Sequence, residues 1–434
     1  MHIYFSGIGG SGIGSLAEIA HQIGYQISGS DKQSSSRIDD LRAHGISDIH
    51  IGQSESEIAK VHAANPIDWL VYSSAVTFEN PDAPELKFAR EHGIRVSKRD
   101  ELLNFILEDK RLDLIAIAGT HGKTTTVAMT VWLFQNLGIP ISYLLAAKTN
   151  FATMAEFNPD AHFFIYEADE FDRNFLHFSP KISLISGVAY DHQEIFPTLE
   201  DYKSAFREFI SKSEQVFLWQ ADAESLNLER SKNIEQIDEL KDISAIKLAG
   251  KFNRRDAFLV TKMVAKITGE PLEKILKIMS NFPGLSKRME KIAPNLYSNY
   301  AHTPEKIAAA IDVAREMKNP EQDLIVIYEP LTNRRQHYFL DSYKNVFTPA
   351  AKLYWLPSYL AREDANLPIL TPDELISHLD AAARKIAESS ETNDILNKKI
   401  ARHLQNGDFV VAMVSGGAND GLDFWLRKNF GARN

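Results

Sequence analysis

The residues best suited to chemistry form a glycine-rich turn at residues 119–126, Gly-Thr-His-Gly-Lys-Thr-Thr-Thr. An apolar run at residues 115–118 predicts a buried strand before the turn, and the sequence from Thr124 onwards predicts a helix after it. A strand that ends in such a turn presents the N–H groups and the positive dipole end of the following helix to an anion. Lys123 adds a cation, and the Thr124 hydroxyl can reach a phosphate-bound Mg²⁺. The pattern predicts an ATP-type phosphate loop, although Ile117 replaces the first glycine of the usual spacing. The alternative is a tight strand-to-helix turn that carries a lysine by chance.

A second glycine turn, Gly-Ile-Gly-Gly-Ser-Gly, occupies residues 7–12 between a predicted strand and a helix predicted at residues 15–23. Asp31 follows 19 residues after Gly12, at the end of the next predicted strand. This is the dinucleotide fingerprint, in which backbone N–H groups bind a pyrophosphate and the acid binds ribose hydroxyls. The turn specifies a pyrophosphate and not a nicotinamide, so a UDP-sugar would fit equally well. A nicotinamide oxidoreductase is disfavoured because a second phosphate loop follows. The alternative is that these glycines serve helix–strand packing alone.

Short apolar runs alternate with helical patterns over residues 1–108, which predicts a parallel sheet flanked by helices. The predicted strands of this part are residues 2–6, 26–29, 49–51, 69–73 and 94–96. Later strands are predicted at residues 163–166, 182–186, 324–328 and 409–414. Thr303 as an N-cap and Pro304 as the first helical residue predict the start of a helix. The expected fold class is therefore α/β.

At 434 residues the chain is too long for one hydrophobic core, so several domains are expected. A polar stretch at residues 108–111 marks a first boundary, and Pro283-Gly284 marks a second. The predicted domains are residues 1–108, 109–284 and 285–434.

The composition excludes several classes of protein. A net charge of −10 argues against a nucleic-acid partner, which would need a basic surface. The chain contains no cysteine, which excludes disulfides, thiolate metal sites and thiol catalysis and fits a cytoplasmic protein. No stretch approaches about 18 uncharged apolar residues, so no transmembrane helix and no membrane partner are expected. The first residues run directly into a predicted strand, which leaves no room for a signal peptide.

Two phosphate loops in this order resemble the Mur ligases of peptidoglycan synthesis. The segments that carry the resemblance are residues 7–13, 24–31, 72–76, 80–81, 119–126, 167–172, 175–176, 191–192, 288–290 and 300–304. The resemblance implies three domains: an N-terminal Rossmann-like domain for a UDP-sugar, a central P-loop ATPase-like domain for ATP, and a C-terminal Rossmann-like domain for the amino acid. It also implies ATP and Mg²⁺ as cofactors and a monomer or weak homodimer.

The resemblance implies an ATP-dependent ligase that joins an amino acid, most simply L-alanine, to UDP-N-acetylmuramate through an acyl phosphate. One alternative is the attachment of a recycled tripeptide to the same sugar nucleotide, since residues 191–197 and 329–333 resemble ligases of that kind. Another alternative is a nucleotide-binding member of the family without ligase activity. The size and polarity of the pocket in the third domain would distinguish a tripeptide from alanine.

The resemblance also implies roles for individual residues. The catalytic residues are Lys123, Glu167, His192 and Arg288, and the metal ligands are Thr124, Glu167 and His192. ATP is expected to contact Gly119, Thr120, His121, Gly122, Lys123, Thr124, Thr125, Asn253 and Asn299. The UDP-sugar is expected to contact Gly7, Gly9, Gly10, Ser11, Gly12, Ile13, Asp31, Ser73 and Ser74, and the incoming substrate His302 and Arg334. For His192, the alternative is a turn that caps a helix, and for Arg288 it is a solvated arginine.

Several positions depart from the pattern of the family. Phe252 replaces a histidine, Asp256 and Gly187 replace asparagines, and Asn299 replaces an aspartate that contacts the ATP ribose. The doubled histidine of alanine-adding members is His302-Thr303 here, and no lysine is a secure match for the carbamylated lysine, although Lys203 is near in sequence. These changes weaken the case for an ATP site but leave Lys123, Glu167 and His192 in place.

Overall fold

The structure is a computed structural model, and it describes residues 1–192, 195–238, 243, 246–360, 367–414 and 421–431, without the side chains of Ser11 and Phe78. The fold class is α/β, as predicted, with three sheets in which parallel pairing predominates. The chain divides into two compact units, Met1–Lys247 with Arg254–Phe282, and Leu248–Asn253 with Pro283–Asn434. The first unit contains two sheets and the second contains one. The division into domains at residues 108 and 284 stays a prediction.

The first sheet has five parallel strands in the order β3-β2-β1-β4-β5. Its strands are β1 (His2–Ser6), β2 (Gln26–Asp31), β3 (Ile49–Ile51), β4 (Trp69–Tyr72) and β5 (Arg95–Lys98). Its helices are α1 (Ser11–Ile23), α2 (Ser36–Ala43), α3 (Glu55–Ala64), α4 (Ser74–Glu79), α5 (Pro84–Glu91) and α6 (Arg99–Lys110). All five residues of β1 are buried, as a central strand covered by helices on both faces requires. Its carboxyl end leads directly into the turn at residues 7–10.

The second sheet has seven strands in the order β12-β11-β10-β6-β9-β7-β8, and only β7 and β8 pair antiparallel. The strands are β6 (Asp113–Ala118), β7 (Ile141–Leu144), β8 (Ala155–Glu156), β9 (Phe163–Glu167), β10 (Ile182–Ile185), β11 (Gln215–Trp219) and β12 (Ile234–Ile237). The helices are α7 (Lys123–Asn136), α8 (Leu199–Ser211), α9 (Gln220–Ser225), α10 (Lys251–Thr268) and α11 (Leu272–Met279), with a 3₁₀ helix at Phe171–His177. Strand β6 lies between β9 and β10, so the turns that follow these three strands meet at one edge.

Helix α6 connects the two sheets of the first unit, and the boundary predicted at residue 108 falls inside it. The helix ends at Arg111, whose φ of 54° gives a left-handed C-cap, and β6 begins two residues later. One continuous core of buried apolar residues includes Phe5 of the first sheet, Leu102 of α6 and Phe164 of the second sheet. The two sheets therefore share this core, while the other face of the first sheet packs a separate apolar cluster that includes Tyr4 and Leu70.

The third sheet has six strands in the order β13-β14-β18-β15-β16-β17, and only β13 and β14 pair antiparallel. The strands are β13 (Glu290–Ala293), β14 (Leu296–Asn299), β15 (Leu324–Tyr328), β16 (Lys352–Trp355), β17 (Ala387–Ser389) and β18 (Phe409–Met413). The helices are α12 (Pro304–Met317), α13 (Asn333–Phe339), α14 (Pro372–Ser377), α15 (Ala381–Ile386), α16 (Asp394–Gln405) and α17 (Leu422–Phe430), with a 3₁₀ helix at Leu340–Tyr343. Thr303 and Pro304 occupy the predicted N-cap and first positions of α12, but the Thr303 side chain makes no capping hydrogen bond.

Across the described ranges, no helix combines the length and the apolar character needed to cross a membrane.

Candidate functional site

The turn between β6 and α7 has the geometry of an anion-binding loop. Gly119 has a φ of +136° and Gly122 a φ of +78°, a region of backbone conformation that favours glycine. Gly122 is the N-cap of α7, and no described side chain caps this helix. The N–H groups of its first turn are therefore available to a phosphate, together with the positive end of the dipole.

The segment after β10 holds this turn in place. Thr120 N–H donates to the Gly187 carbonyl at 2.9 Å, and the Thr120 hydroxyl donates to the Ala189 carbonyl at 2.7 Å. Ser186 Oγ donates to the carbonyl of His121 at 2.5 Å. Because the N–H and the hydroxyl of Thr120 are both engaged in these contacts, we expect Thr120 to hold the turn and the N–H groups that follow it to meet a phosphate. Gly187 contributes through its backbone carbonyl.

Two carboxylates of the turn after β9 hold the Lys123 ammonium group. Its Nζ lies 2.5 Å from Glu170 Oε2 and 3.3 Å from Asp169 Oδ1. Burial alone would lower the pKa of Lys123, but the attraction of Glu170, Asp169 and Glu167 raises it above its ordinary value. Burial raises the pKa of Glu170, which is fully enclosed. Lys123 is therefore a permanent cation at the start of α7. Neither Asp169 nor the Glu170 contact was among the sequence predictions.

Thr124 and Glu167 lie together, as predicted. The Thr124 hydroxyl donates to Glu167 Oε2 at 2.9 Å, at the carboxyl end of β9. A hydroxyl and a carboxylate at this separation fit Mg²⁺, which takes few protein oxygens and completes its shell with phosphate and water. Within the described ranges, no group of three acidic or histidine side chains forms a metal cluster. The pair would thus hold a metal only together with a phosphate.

His192, the third predicted metal ligand, lies beside a different carboxylate. Its Nε2 is 3.9 Å from Glu170 Oε1, and its ring makes an edge contact with Phe171, with 5.1 Å between the ring centroids. His192 has a φ of +58°, which is uncommon for a residue with a side chain. The structure thus joins His192 to the carboxylates around Lys123, and its role as a metal ligand stays a prediction.

Asp256 closes one side of the phosphate turn. Its carboxyl group is buried in α10, and burial raises its pKa to about 8, with Arg255 lowering it and Asp222 raising it further. At neutral pH Asp256 therefore adds little negative charge to the turn. Thr125 occupies the third position of α7 and is half-buried.

The first glycine turn is closed by the acid predicted to bind ribose. Gly9 N–H donates to Asp31 Oδ2 at 2.8 Å, and the N–H groups of Gly7 and Ile8 donate to the Ser30 carbonyl at 2.8 and 2.9 Å. Gly7 has a φ of +81°. Asp31 thus fixes the turn that follows β1, which a sequence pattern for ribose binding does not reveal.

The other residues predicted to bind the UDP-sugar differ in what they can offer. Gly10 is the N-cap of α1, whose first turn contains Ser11 and Gly12, and no described side chain caps this helix. Ile13 is buried in the core, so only its backbone could meet a ligand. Ser73 uses its hydroxyl to cap α4, accepting from Ala75 N–H at 3.3 Å, and Ser74 is the first residue of that helix.

In the second unit, three cations lie near a buried histidine, His302. Burial lowers the pKa of His302 well below its ordinary value, and the positive charges of Lys306, Arg335 and Arg288 lower it further. His302 Nδ1 has no hydrogen-bond partner among the described residues. Arg334, which was predicted to bind substrate, is exposed, and Arg335 is the arginine that acts on His302. The cluster suits a carboxylate or a phosphate.

The remaining predicted residues of this unit have structural contacts. Arg288 donates to the Tyr300 carbonyl at 2.8 Å, and its guanidinium group lies over the Tyr300 ring, 5.3 Å from the centroid. Asn299 Oδ1 accepts from Met289 N–H at 3.0 Å. Asn253 donates to the Ala249 carbonyl at 2.8 Å, and Phe252 is 56% exposed. Of the resemblance at residues 191–197, Gln193 and Glu194 lie outside the described residues.

Comparison with known proteins gives a consistent result along the chain. Residues 2–111 match the family model described as "Mur ligase family, catalytic domain", and residues 117–284 match "Mur ligase middle domain". Together these segments span more than half of the chain.

Curated relatives match nearly the whole length. The UDP-N-acetylmuramate–L-alanine ligase of Bdellovibrio bacteriovorus is 28% identical over 464 residues, with 98% of this chain and 97% of the relative covered. That of Cytophaga hutchinsonii is 27% identical over 435 residues, with 91% of each chain covered.

Solved structures show the same fold. The UDP-N-acetylmuramate-alanine ligase from Thermotoga maritima has a TM-score of 0.76 at 22% identity and covers 99% of this chain and 98% of its own. A murein peptide ligase from Psychrobacter arcticus has a TM-score of 0.60 at 21% identity, with 95% of each chain covered.

Proposed function

The chain belongs to the Mur ligase family, and we propose that it is an ATP-dependent ligase that joins L-alanine to UDP-N-acetylmuramate. The observation that carries the proposal is the pair of helix N-termini, at α1 and α7, that no described side chain caps, each preceded by a glycine turn in the same unit. One turn suits the diphosphate of a sugar nucleotide, and the other, with Lys123, suits the triphosphate of ATP. The curated relatives of similar length carry the name of this activity.

The proposed reaction has two steps. The carboxylate of the muramate attacks the γ-phosphorus of ATP, the bond to the β-phosphate oxygen breaks, and an acyl phosphate and ADP form. The amine of alanine then attacks the acyl carbon, loses a proton, and expels inorganic phosphate to leave an amide. Neither step requires covalent participation of the protein, so positioning and neutralisation of charge account for catalysis.

The residues at the second turn fit these requirements. Lys123 carries a permanent charge at the start of α7, where the terminal phosphates would lie, and the N–H groups of this turn would hold their oxygens. Thr124 and Glu167 would hold Mg²⁺, which would neutralise charge on the transferring phosphoryl group. Glu170 and Asp169 orient the lysine. His192 lies beside Glu170 and could contact the substrate or a metal.

A second candidate, the attachment of a recycled tripeptide, is kept because of the cations around His302. Lys306, Arg335 and Arg288 place several positive charges near this histidine. A peptide with several carboxylates would use them more fully. With either substrate, a cytoplasmic location fits a chain without cysteine, and a monomer or weak homodimer without nucleic-acid or membrane partners is proposed.

The test is phosphate release from ATP by the purified protein with UDP-N-acetylmuramate and, in parallel, alanine, serine, glycine or the tripeptide, with product masses recorded. We expect release and a ligated product with alanine. Lys123→Ala is the control for contaminating ATPase. Turnover with the tripeptide alone would establish the second candidate, and no turnover with any acceptor would favour a family member without ligase activity.

A further inference from the structure

Arg99, the first residue of α6, packs against the first glycine turn of the first unit. Its Cζ is 3.4 Å from the position that a Cβ atom on Gly12 would occupy, so the guanidinium group lies against the first turn of α1. It also lies near the end of β9, because Tyr166 of that strand and the carboxylates of Asp169 and Glu167 raise the pKa of its guanidinium group.

The hydrogen-bonding capacity of Arg99 is largely unused by the described part of the protein. A guanidinium group has five N–H donors. The one ion pair of Arg99 within the described ranges joins its Nε to Asp100 Oδ1 at 3.7 Å, which is too long for a hydrogen bond. Its side chain is 29% exposed, so a ligand can reach it.

Arg37 of α2 provides a contrast, because it also packs against α1. It packs against Gly14, one helical turn away from the start of α1, and its Nη2 donates to Glu18 at 2.7 Å and to Ser15 at 3.1 Å. Its side chain is 11% exposed. Arg37 is thus engaged by the protein, whereas Arg99 retains donors directed at the turn.

The guanidinium group of Arg99 is positively charged at neutral pH. The attraction of Tyr166, and then of Asp100, Asp169 and Glu167, raises its pKa, although burial acts in the opposite direction. A permanent, planar, forked cation is the side chain best suited to bind a phosphate through two parallel hydrogen bonds. It would also shield an anion at the first turn from the carboxylates at the end of β9.

We propose that Arg99 binds the diphosphate of the sugar nucleotide, together with the N–H groups of the turn at residues 7–12. The assignment rests on the proposed function, because it needs a nucleoside diphosphate in this turn. Arg99 then fixes the diphosphate on the side that faces the phosphate turn of ATP. The sugar and its carboxylate are thereby directed towards Lys123.

The experiment is calorimetric titration of the full chain with UDP and, separately, with ADP. The variants are Arg99→Gln and Arg99→Lys. The matched control is Arg95→Gln, which removes an arginine whose Cζ lies over the Trp69 ring, 3.5 Å from its centroid. We expect Arg99→Gln to weaken UDP binding by about tenfold or more and Arg99→Lys to recover part of the loss. The affinity of the Arg99 variants for ADP should be unchanged, and so should the affinity of the Arg95→Gln protein for UDP.

Two results would overturn the role of Arg99 in diphosphate binding and leave the proposed function in place. One is UDP affinity of Arg99→Gln within about twofold of the unmutated protein. The other is an equal loss of UDP and ADP affinity, which would show that Arg99 supports the packing of the unit. Arg99→Lys serves the same comparison if Arg99→Gln does not fold. Absence of UDP binding by the unmutated protein would instead contradict the sugar-nucleotide site and the proposed function.

Discussion

The carboxyl group of Asp256 lies against Gly122, the residue from which helix α7 begins. Its Cγ is 3.1 Å from the position that a Cβ atom on Gly122 would take. Residues far apart in sequence thus meet at the entrance of the phosphate turn. The protonation of this carboxyl group affects both the stability of the fold and the field that a triphosphate would meet.

Asp256→Asn should increase stability, and the gain should grow with pH. Burial raises the pKa of Asp256 from 3.8 to about 8, so between these values the folded protein holds a proton that the unfolded chain has lost. The free energy of unfolding therefore falls as pH rises, by at most about 1.4 kcal/mol per unit from this group. Thermal unfolding at about pH 5, 6.5 and 8 measures the difference, with the exposed Asp312→Asn as control. A difference that does not change with pH would contradict the assigned protonation.

The same substitution should alter the pH dependence of ATP binding. Above about pH 8, ionised Asp256 places a negative charge beside the turn and should weaken ATP binding by about three- to tenfold. Asp256→Asn lacks this charge and should keep its affinity between about pH 7 and 9. Titration of both proteins over this range is the measurement, and the ionisation of ATP itself cancels in their ratio. Parallel curves would show that the carboxyl group does not face the nucleotide.

Lys123→Ala should lower ATP turnover by about 10²–10³-fold, because it removes a cation expected to stabilise charge on the transferring phosphoryl group. Phosphate release is the measurement. Lys148→Ala is the matched control, since that lysine is 64% exposed and pairs with Asp40. Circular dichroism should show that the variant folds. Turnover within about threefold of the unmutated protein would mean that the lysine has no catalytic role.

Glu167→Gln should raise the Mg²⁺ concentration needed for half-maximal turnover, because an amide keeps the shape of the carboxylate but loses its charge. Affinity for UDP should change little, since the first glycine turn belongs to another sheet. The exposed Glu214→Gln provides a control with the same chemical change. An unchanged Mg²⁺ dependence would make Glu167 a structural partner of Thr124 and move the metal site elsewhere.

The turn at residues 7–12 should bind UDP-N-acetylmuramate and neither NAD nor NADP. The physical reason is that the turn recognises a diphosphate, while a separate phosphate turn before α7 in the same unit suits ATP, which a nicotinamide enzyme does not need. Calorimetric titration with the three ligands measures this directly. Tight binding of NAD would contradict the proposed substrate.

The sequence predicted the features that depend on local pattern. The phosphate turn lies where a buried strand, two glycines and a helix follow one another, and the helix begins at Lys123, one residue before the prediction. Strand β2 extends to Asp31, beyond the predicted end at Gly29, because Ser30 and Asp31 continue the pairing with neighbouring strands. The boundary predicted at residue 108 falls within α6, because a polar helix end resembles a linker in sequence.

Contacts that depend on tertiary structure could not be predicted from the sequence pattern. Which carboxylate after β9 reaches Lys123 depends on the path of a turn in which Asp172 and Arg173 have φ angles of 55° and 56°. The sequence does not show which non-glycine residues adopt such a conformation. Arg99 was overlooked because it follows an ordinary strand. Its position after the carboxyl end of β5, where ligands gather in parallel sheets, was the available signal.

The core shared by the two sheets of the first unit holds the two glycine turns at a set distance from each other. Lys98 at the end of β5 pairs with Asp172 at 2.6 Å, and Asn104 of α6 donates to the His177 carbonyl at 2.8 Å, so the two glycine turns are joined by more than a single chain connection. The span from a diphosphate in one turn to a phosphoryl group in the other is then a fixed length. The protein would therefore select a sugar nucleotide by the distance between its carboxylate and its phosphates. Residues that recognise the sugar itself would add to this selection.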